Sequence, residues 1–148
     1  MTLNRVSYTL DSTLESVNHA EETALKFAIK SGFPEEESQR ISMAVREGVV
    51  NAVLHGNKYD PNKKVRISFE SNQKSIQIHI SDEGSGLDPG SIPDPLAPKN
   101  LLKTSGRGIF LMRTFMDEVK VNSLNPGTEV ILIRYFSGNS AGTKEKLQ

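Results

Sequence analysis

Cysteine is absent from this chain of 148 residues. Its absence excludes disulfide bonds, thiolate nucleophiles and thiolate metal sites together, and it agrees with a reducing compartment. Any catalysis must therefore rely on carboxylates, hydroxyls, histidine, lysine or a hard cation.

Net charge and long apolar runs are missing as well. The 18 Lys and Arg residues equal the 18 Asp and Glu residues, so the overall charge favours neither nucleic acid nor an anionic membrane as a direct partner. No apolar stretch approaches the roughly 20 residues that a membrane helix needs, and the N-terminus has no basic segment followed by an apolar run. We therefore expect a soluble, cytoplasmic protein.

The length of the chain and its 36% share of hydrophobic residues predict one domain with one core. We place this domain at residues 1–136. The last residues, 137–148, are expected to form a flexible C-terminal tail.

Hydrophobic periodicity predicts a strand and two helices in the first part of the chain. Apolar and polar residues alternate over residues 6–10, as in a strand with one buried face. Ser12 and Glu15 have the spacing of a capping box, which predicts a helix start. A second helix is predicted from Glu35 to about His55, after a proline and with acidic residues in its first turn.

The second part of the chain is predicted to contain a hairpin, a long loop and then a helix with two strands. The hairpin covers residues 65–80, and prolines and glycines make residues 82–106 largely irregular. A helix at 109–116 and strands near 119–121 and 130–136 follow. The order β, α, α, β, β, loop, α, β, β predicts an α/β two-layer sandwich, with helices packed on one face of a mixed, mostly antiparallel sheet.

The helix predicted at 35–55 carries a polar edge. Glu47, Asn51 and His55 follow one another at intervals of four residues, so they point along one side of a largely buried helix. Asn51 is either a satisfied structural amide or a ligand of a hard cation such as Mg²⁺, and Glu47 is either a surface acid or a group that orients or deprotonates a hydroxyl. His55 is either a partner of the helix dipole or a phosphate contact.

An acidic glycine turn, Asp82-Glu83-Gly84-Ser85-Gly86, directly follows the predicted strand that ends at Ile80. It is either an ordinary turn or a nucleotide site in which Asp82 accepts a hydrogen bond from an adenine amino group and the glycines let the ligand approach. Thr128 follows Gly127 in a predicted tight turn, and its hydroxyl is a candidate to support Asp82 through water.

A third stretch, Gly106-Arg107-Gly108, opens the predicted helix at 109–116 and can offer backbone N–H groups to phosphates. Lys103 and Arg107 flank it as candidate phosphate contacts, or as solvated loop cations. The stretch is a poor Rossmann fingerprint, because Leu111 stands where a third glycine belongs, and the chain has no Walker A sequence.

Taken in order, the three stretches resemble the N, G1 and G2 boxes of the GHKL superfamily, which includes the ATP-binding domains of gyrase, heat-shock chaperones, histidine kinases and MutL. Within it, the small size of the chain, the segment Ile92-Pro93-Asp94-Pro95 and residues 112–119, MRTFMDEV, look like the bacterial anti-sigma factor serine-protein kinases. The resemblance covers about residues 5–136 and implies the histidine-kinase-like ATPase fold.

The resemblance implies a role for each part of the site. ATP and Mg²⁺ are the implied cofactors, with Glu47 as catalytic base, Asn51 as metal ligand, Asp82 as adenine contact and residues 87–105 as an ATP lid. The nucleotide-binding set is Asn51, His55, Asp82, Gly84, Gly86, Lys103, Thr104, Ser105, Gly106, Arg107, Gly108 and Thr128. In a relative an arginine precedes the Ser-Gly of the third box, where this chain has Thr104 after Lys103; the cation that contacts the γ-phosphate is left open.

The resemblance also implies partners. In this family a domain that is usually a homodimer binds and silences a sigma factor, and it transfers the γ-phosphate of ATP to a serine of a STAS-type anti-anti-sigma protein. The alternative is a nucleotide-dependent protein-binding module that sequesters a partner and transfers nothing.

Overall fold

The structure is a computed structural model that describes residues 4–84, 108 and 110–136. Within these ranges the elements follow the predicted order. They are β1 (Asn4–Asp11), α1 (Leu14–Ser31), α2 (Glu35–Val50), a π-helical turn (Asn51–Gly56), β2 (Lys64–Ser71), β3 (Ser75–Ser81), β4 (Glu118–Ser123) and β5 (Thr128–Tyr135). A third helix, α3, is helical at 110–115, between β3 and β4. The predicted tail and lid lie outside the described residues.

Five strands form one sheet in the order β1-β2-β3-β5-β4. Each of the four pairings among them is antiparallel, with Phe69 opposite Ile78 and Ile78 opposite Leu132 in the centre. The α/β class is therefore confirmed. The last strand of the chain inserts between β3 and β4, so it pairs with the strand that leads into Asp82.

The hydrophobic core lies between the inner face of the sheet and the two long helices. Alternate residues of β2 and β3 face it, because side chains alternate between the faces of a strand. The opposite face of these strands is polar, and there Nδ1 of His79 lies 3.3 Å from Oε2 of Glu129. The largest fully buried core side chains are Val17, Ile41, Val45, Val49, Val53, Ile67, Phe69, Ile76, Ile78, Ile80, Met112 and Leu132.

Strand β1 is less buried than its alternation predicts. Val6 and Tyr8 both remain 39% exposed, and only Leu10 of their face is buried. The physical reason is position, because β1 lies at the edge of the sheet and pairs on one side only, with β2. The ring of Tyr8 still contacts those of His19 and Phe69 in edge-to-face geometry.

The start of α1 corrects the predicted capping box. Thr13, rather than Ser12, is the N-cap, and its hydroxyl accepts a hydrogen bond from the Ser16 N–H at 3.1 Å. Ser12 is buried and is used elsewhere: its hydroxyl donates to the Lys63 carbonyl at 2.6 Å. The helix ends at Gly32, whose φ of 117° is the left-handed conformation that favours glycine.

Helix α2 begins after Pro34, as predicted, but its last turn changes register. The α-helix ends at Val50, and residues Asn51–Gly56 continue as a π-helix. The Asn57 N–H reaches back five residues to the Ala52 carbonyl at 2.8 Å, which is the π-helical bond. The predicted helical span is therefore correct, while its end is wider than an α-helix. π-Helical turns frequently occur at functional sites.

No helix in the ranges 4–84 and 110–136 combines the length and apolar character required to traverse a bilayer.

Candidate functional site

Asp82 lies immediately after β3 and is 9% exposed. Its Oδ1 accepts hydrogen bonds from the N–H groups of Gly84, at 3.0 Å, and Thr128, at 3.2 Å. The Asp82 N–H in turn donates to the Thr128 carbonyl at 3.0 Å. Both hydrogen bonds that the described residues direct at this carboxylate end on Oδ1, so Oδ2 keeps its capacity to accept one from a ligand.

The ionisation of Asp82 is opposed by its surroundings. Burial raises the pKa of its carboxyl above the ordinary value, because desolvation disfavours the charged form. The hydrogen bonds from Gly84 and Thr128 and the positive charge of Lys63 act in the opposite direction on this pKa and are outweighed. No cation of the described ranges forms an ion pair with Asp82, and a buried carboxylate of this kind is more typical of a binding site than of a structural contact.

Three glycines pack against Asp82 so closely that none has room for a side chain. A Cβ atom on Gly56 would lie 2.3 Å from Oδ2 of Asp82, and one on Gly84 would lie 2.1 Å from the Gly56 carbonyl oxygen. Gly127 has a φ of 103°, and a Cβ there would lie 2.0 Å from the Asp82 carbonyl oxygen. The backbone therefore packs closely around the Asp82 turn, and at Gly56 it abuts the carboxylate itself, as in a site that admits a flat ligand edge.

Thr128 reaches Asp82 through its backbone, which both donates to and accepts from that residue. The predicted tight turn at Gly127 is present. The predicted water contact of the Thr128 hydroxyl stays a prediction.

Glu47 and Asn51 lie one helical turn apart, and the Asn51 N–H donates to the Glu47 carbonyl. The carboxylate of Glu47 is half-buried and makes no hydrogen bond or ion pair with any described residue. Oδ1 of Asn51 is fully buried, yet it has no hydrogen-bond partner among residues 4–84, 108 and 110–136. Buried acceptors are nearly always satisfied, so an orphaned amide oxygen here favours the ligand interpretation over the structural one.

This pair meets the requirements of a magnesium site, although Mg²⁺ itself is only implied. A neutral amide oxygen is a hard ligand, and Mg²⁺ usually takes one or two protein oxygens and completes its shell with phosphate oxygens and water. Within the described residues there is no cluster of three or more His, Asp or Glu side chains that could hold a metal. Phosphate oxygens would therefore have to supply much of the coordination.

His55 is half-buried in the π-helical turn, four residues after Asn51. Because the helix widens there, His55 does not continue the α-helical spacing that relates Glu47 to Asn51. Its role as dipole partner or phosphate contact stays open.

Gly48 brings α2 against the sheet near the acidic turn. A Cβ on Gly48 would lie 2.7 Å from Cδ1 of Ile80 and 3.7 Å from the sulfur of Met112. Helix α2, the end of β3 and α3 therefore meet at one point. Gly108 is buried and helical on the approach to α3. The close approaches of Gly56 to Asp82 and of Gly48 to Ile80 and Met112 bring α2 and the turn after it together with the Asp82 turn and α3.

The remaining predicted site residues lie outside the described residues. They are Gly86, Lys103, Thr104, Ser105, Gly106 and Arg107.

Comparison with known proteins identifies the family. Residues 10–134 match the histidine kinase-like ATPase domain. The chain belongs to this family. Membership implies that the ATPase domain uses ATP.

Relatives of this ATPase domain include anti-sigma F factors and a serine-protein kinase. It is 38% identical to an anti-sigma F factor of a Geobacillus species over 72% of this chain and 75% of that protein. It is 32% identical to the serine-protein kinase RsbW of Bacillus subtilis over 75% of this chain and 72% of that protein. With the anti-sigma F factor of Geobacillus kaustophilus it shares 33% identity over 93% of this chain and 97% of that protein.

Solved structures confirm the fold of the ATPase domain. The RsbU and RsbW domains of a Mycobacterium tuberculosis protein match with a TM-score of 0.63 at 16% identity, covering 89% of this chain and 32% of that one. The catalytic domain of the histidine kinase ThkA matches with a TM-score of 0.52 at 14% identity, covering 91% of this chain and 96% of that one.

Sequence reasoning missed two residues of the ATPase domain that shape this site, Gly56 and Asn57. Gly56 abuts the Asp82 carboxylate, and Asn57 is 1% exposed. A signal was available for the pair, because Gly-Asn directly follows the polar edge of α2, where a ligand-facing turn is expected.

Proposed function

We propose that this ATPase domain is an anti-sigma factor and protein serine kinase. It transfers the γ-phosphate of ATP to a serine of an anti-anti-sigma protein of the STAS type, and it sequesters a sigma factor. The names and identities of its relatives support the assignment. The observation that carries the catalytic part is that the Glu47 carboxylate and Oδ1 of Asn51 lie on consecutive turns, and neither has a hydrogen-bond partner in the described part of the chain.

Adenine binding falls to Asp82. Its Oδ2 accepts a hydrogen bond from the exocyclic amino group, while Gly84 and Thr128 hold Oδ1 in place. Gly56 and Gly84 keep the edge of the pocket clear of side chains. Guanine presents a carbonyl oxygen where adenine presents this amino group, so the carboxylate disfavours it.

Phosphoryl transfer falls to Glu47 and Asn51. Glu47 accepts the proton of the target serine hydroxyl as its oxygen bonds to the γ-phosphorus, and the bond from that phosphorus to the β–γ bridging oxygen breaks to release ADP. Asn51 offers its buried Oδ1 to Mg²⁺. Bound Mg²⁺ neutralises phosphate charge. The groups proposed to contact the phosphates from the third box are Lys103, Thr104, Ser105, Gly106, Arg107 and Gly108.

The finer features belong to the same proposal. The protein acts in the cytoplasm, with residues 87–105 closing over ATP as a lid. It forms a homodimer and contacts neither nucleic acid nor membrane directly. The balanced charge supports the absence of direct contact with nucleic acid or membrane, and the absence of cysteine agrees with the cytoplasm.

The deciding experiment is phosphate transfer from labelled ATP. The protein is incubated with Mg²⁺ and candidate STAS-type proteins, and we expect label on a serine of one of them. Glu47→Gln should lower the transfer rate by a factor of about 10² to 10⁴ and leave ATP affinity within about twofold. ATP binding without label on any candidate would instead favour a binding module that transfers nothing.

Calorimetry tests the adenine assignment separately. Asp82→Asn should weaken ATP binding about tenfold or more. The single oxygen of the amide is needed to hold the turn, so its NH₂ group, which only donates, faces the adenine amino group. An unchanged ATP affinity in this variant would reject the adenine role of Asp82.

A further inference from the structure

A closed ring of three hydrogen bonds lies behind the Asp82 turn. The Lys64 N–H donates to Oε1 of Glu83 at 2.9 Å, and the Glu83 N–H donates to Oδ1 of Asn57 at 2.8 Å. Nδ2 of Asn57 then donates to the Lys64 carbonyl at 3.0 Å and closes the ring. The ring joins the end of the π-helical turn, the first residue of β2 and the residue that follows Asp82.

Asn57 is the buried member of this ring. It is 1% exposed, and the second hydrogen of Nδ2 goes to the Ser12 hydroxyl at 2.9 Å. Both donors and the acceptor oxygen of its amide are therefore in use, which leaves the side chain one orientation. Ser12 is a branch from the ring, because it touches Asn57 and the Lys63 carbonyl but not Glu83.

The ring positions the backbone on both sides of the Asp82 carboxylate, at Glu83 and at Gly56. It fixes the N–H of Glu83, which lies between Asp82 and the Gly84 N–H that bonds Oδ1. On its other side Asn57 directly follows Gly56, whose backbone abuts Oδ2 of Asp82 and faces Gly84. A shift of Asn57 would therefore move both walls that hold the carboxylate.

The two neighbouring acids consequently have different tasks. The carboxylate of Glu83 accepts hydrogen bonds from other protein groups, the Lys64 N–H and, at 3.2 Å, the Arg66 guanidinium. Asp82 keeps Oδ2 for the ligand. Substitution of Glu83 can therefore test the ring without touching the group that contacts the base.

We propose that Asn57 is a positioning residue for base recognition, which through this ring aligns Oδ2 of Asp82 with the exocyclic amino group of adenine. Asn57 makes no contact with the nucleotide in this arrangement. It sets the preference for adenine over guanine by fixing the turn. The inference rests on the proposed adenine role of Asp82.

The test compares ATP and GTP affinities of the full chain by calorimetry, below the melting temperature of every variant. Asn57→Ala should weaken ATP binding about tenfold and leave the weaker GTP binding nearly unchanged, because only adenine gains from an aligned carboxylate. The ATP-to-GTP preference should thus fall toward that of Asp82→Asn. Glu83→Ala opens the same ring and should have the same effect, while Glu83→Gln keeps the acceptor for the Lys64 N–H and should restore the preference.

Two control variants separate positioning from loss of stability. Asn72→Ala removes an amide that likewise fixes a turn through two backbone N–H groups, but in the hairpin between β2 and β3. Ser12→Ala removes the buried branch and leaves the ring closed. Both should lower the melting temperature and keep the ATP-to-GTP preference within about twofold of wild type.

A double-mutant cycle completes the test. Because a ring opened once is already open, the Asn57→Ala and Glu83→Ala effects on ATP affinity should not add, whereas those of Asn57→Ala and Asn72→Ala should. Should the wild type lack a preference for ATP, the adenine assignment itself fails. Should it prefer ATP while the folded Asn57→Ala or Glu83→Ala keeps that preference, only the ring proposal is overturned; if Asn57→Ala does not fold, Glu83→Ala decides.

Discussion

The carboxylate of Asp82 is buried at the end of β3, where its charged form is unfavourable. Residues kept for binding often reduce stability, because a ligand rather than the protein satisfies them. Asn51, with its orphaned Oδ1, has the same property. Stability measurements on single substitutions can therefore recognise such groups without a ligand.

Asp82→Asn is expected to be at least as stable as the wild type at pH 7, because it removes a buried charge and keeps an oxygen for the Gly84 and Thr128 N–H groups. The raised pKa of Asp82 means that the wild type is relatively most stable below the unfolded pKa of about 4 and loses this contribution as pH rises through the folded value. The advantage of the variant should therefore grow with pH. Urea unfolding midpoints between pH 4 and pH 7 measure it.

Asp11→Asn is the control for that series, because the Asp11 side chain is 69% exposed and its ion pair with Lys64 lies at the surface, where such pairs contribute little. An Asp82→Asn protein that is less stable than wild type by more than about 1 kcal/mol at pH 7 would contradict the argument.

Gly84→Ala is expected to lower both stability and ATP affinity. Its Cβ would lie 2.1 Å from the Gly56 carbonyl oxygen, so the backbone of the Asp82 turn must move, at a cost of about 1–3 kcal/mol. Gly32→Ala is the matched control: its φ of 117° also disfavours alanine, but it lies at the end of α1. Thermal melts should show a loss for both variants, and calorimetry a loss of ATP binding for Gly84→Ala only. An ATP affinity of Gly84→Ala equal to that of the wild type would refute a role in ATP binding for the close approach of Gly84 to the Gly56 carbonyl.

The residues of the site differ in how readily sequence reveals them. Glu47, Asn51 and Asp82 stand out because each is polar where the local pattern is apolar or at a strand end. Asn57 does not, because its hydrogen bond with the Glu83 N–H joins positions 26 residues apart and depends on the folded chain. Local patterns can reveal the residues that contact a ligand more easily than those that position them.

At the scale of the elements, α1 and α2 were predictable in span and less so at their ends. Either Ser12 or Thr13 can cap a helix, and only the burial of Ser12 decides between them. The π-helical turn after Val50 has no local sequence signature, since the shift from an i+4 to an i+5 bond follows from how the turn packs on β3 and Asp82. Hydrophobic periodicity therefore gave the helix but not its widening.

Thr13→Ala should destabilise the domain by about 1 kcal/mol through loss of the N-cap bond to the Ser16 N–H. ATP affinity should stay unchanged, because Thr13 contacts neither the ring nor Asp82. Denaturant melts and calorimetry on the same samples check both statements. A larger loss for Ser12→Ala than for Ser12→Gly would be at odds with the cap assignment, because glycine replaces a capping residue better than alanine does and Ser12 is assigned no capping role.

At the scale of the whole molecule, the single core predicts that ATP stabilises the domain as a unit. At an ATP concentration one hundred times the dissociation constant, linkage adds about 2.7 kcal/mol, which for a chain of this size raises the melting temperature by roughly 5–10 °C. The shift should require Mg²⁺ for its full size and should fall by about half or more in Asp82→Asn, whose ATP affinity is expected to be at least about tenfold lower. Differential scanning fluorimetry with ATP, GTP and EDTA measures it, and an equal shift with GTP would contradict adenine recognition.

The architecture was largely predictable and the strand order was not. Alternation and turn residues identified each strand, since those signals are local. Nothing local indicates that β5 inserts between β3 and β4, because that position depends on pairings such as Ile80 with Val130. The backbone hydrogen bonds between Thr128 and Asp82 could not be predicted for the same reason.

The contact between Thr128 and Asp82 has a consequence for the chain during its synthesis. Thr128 and Asp82 are 46 residues apart and bond to each other in both directions. A nascent chain that has emerged from the ribosome only as far as the acidic turn after β3 contains Asp82 but does not yet contain β5, the strand that bonds to it. Cellular ATP can therefore stabilise the finished domain but not this growing fragment, and nucleotide binding becomes a marker that translation has passed β5.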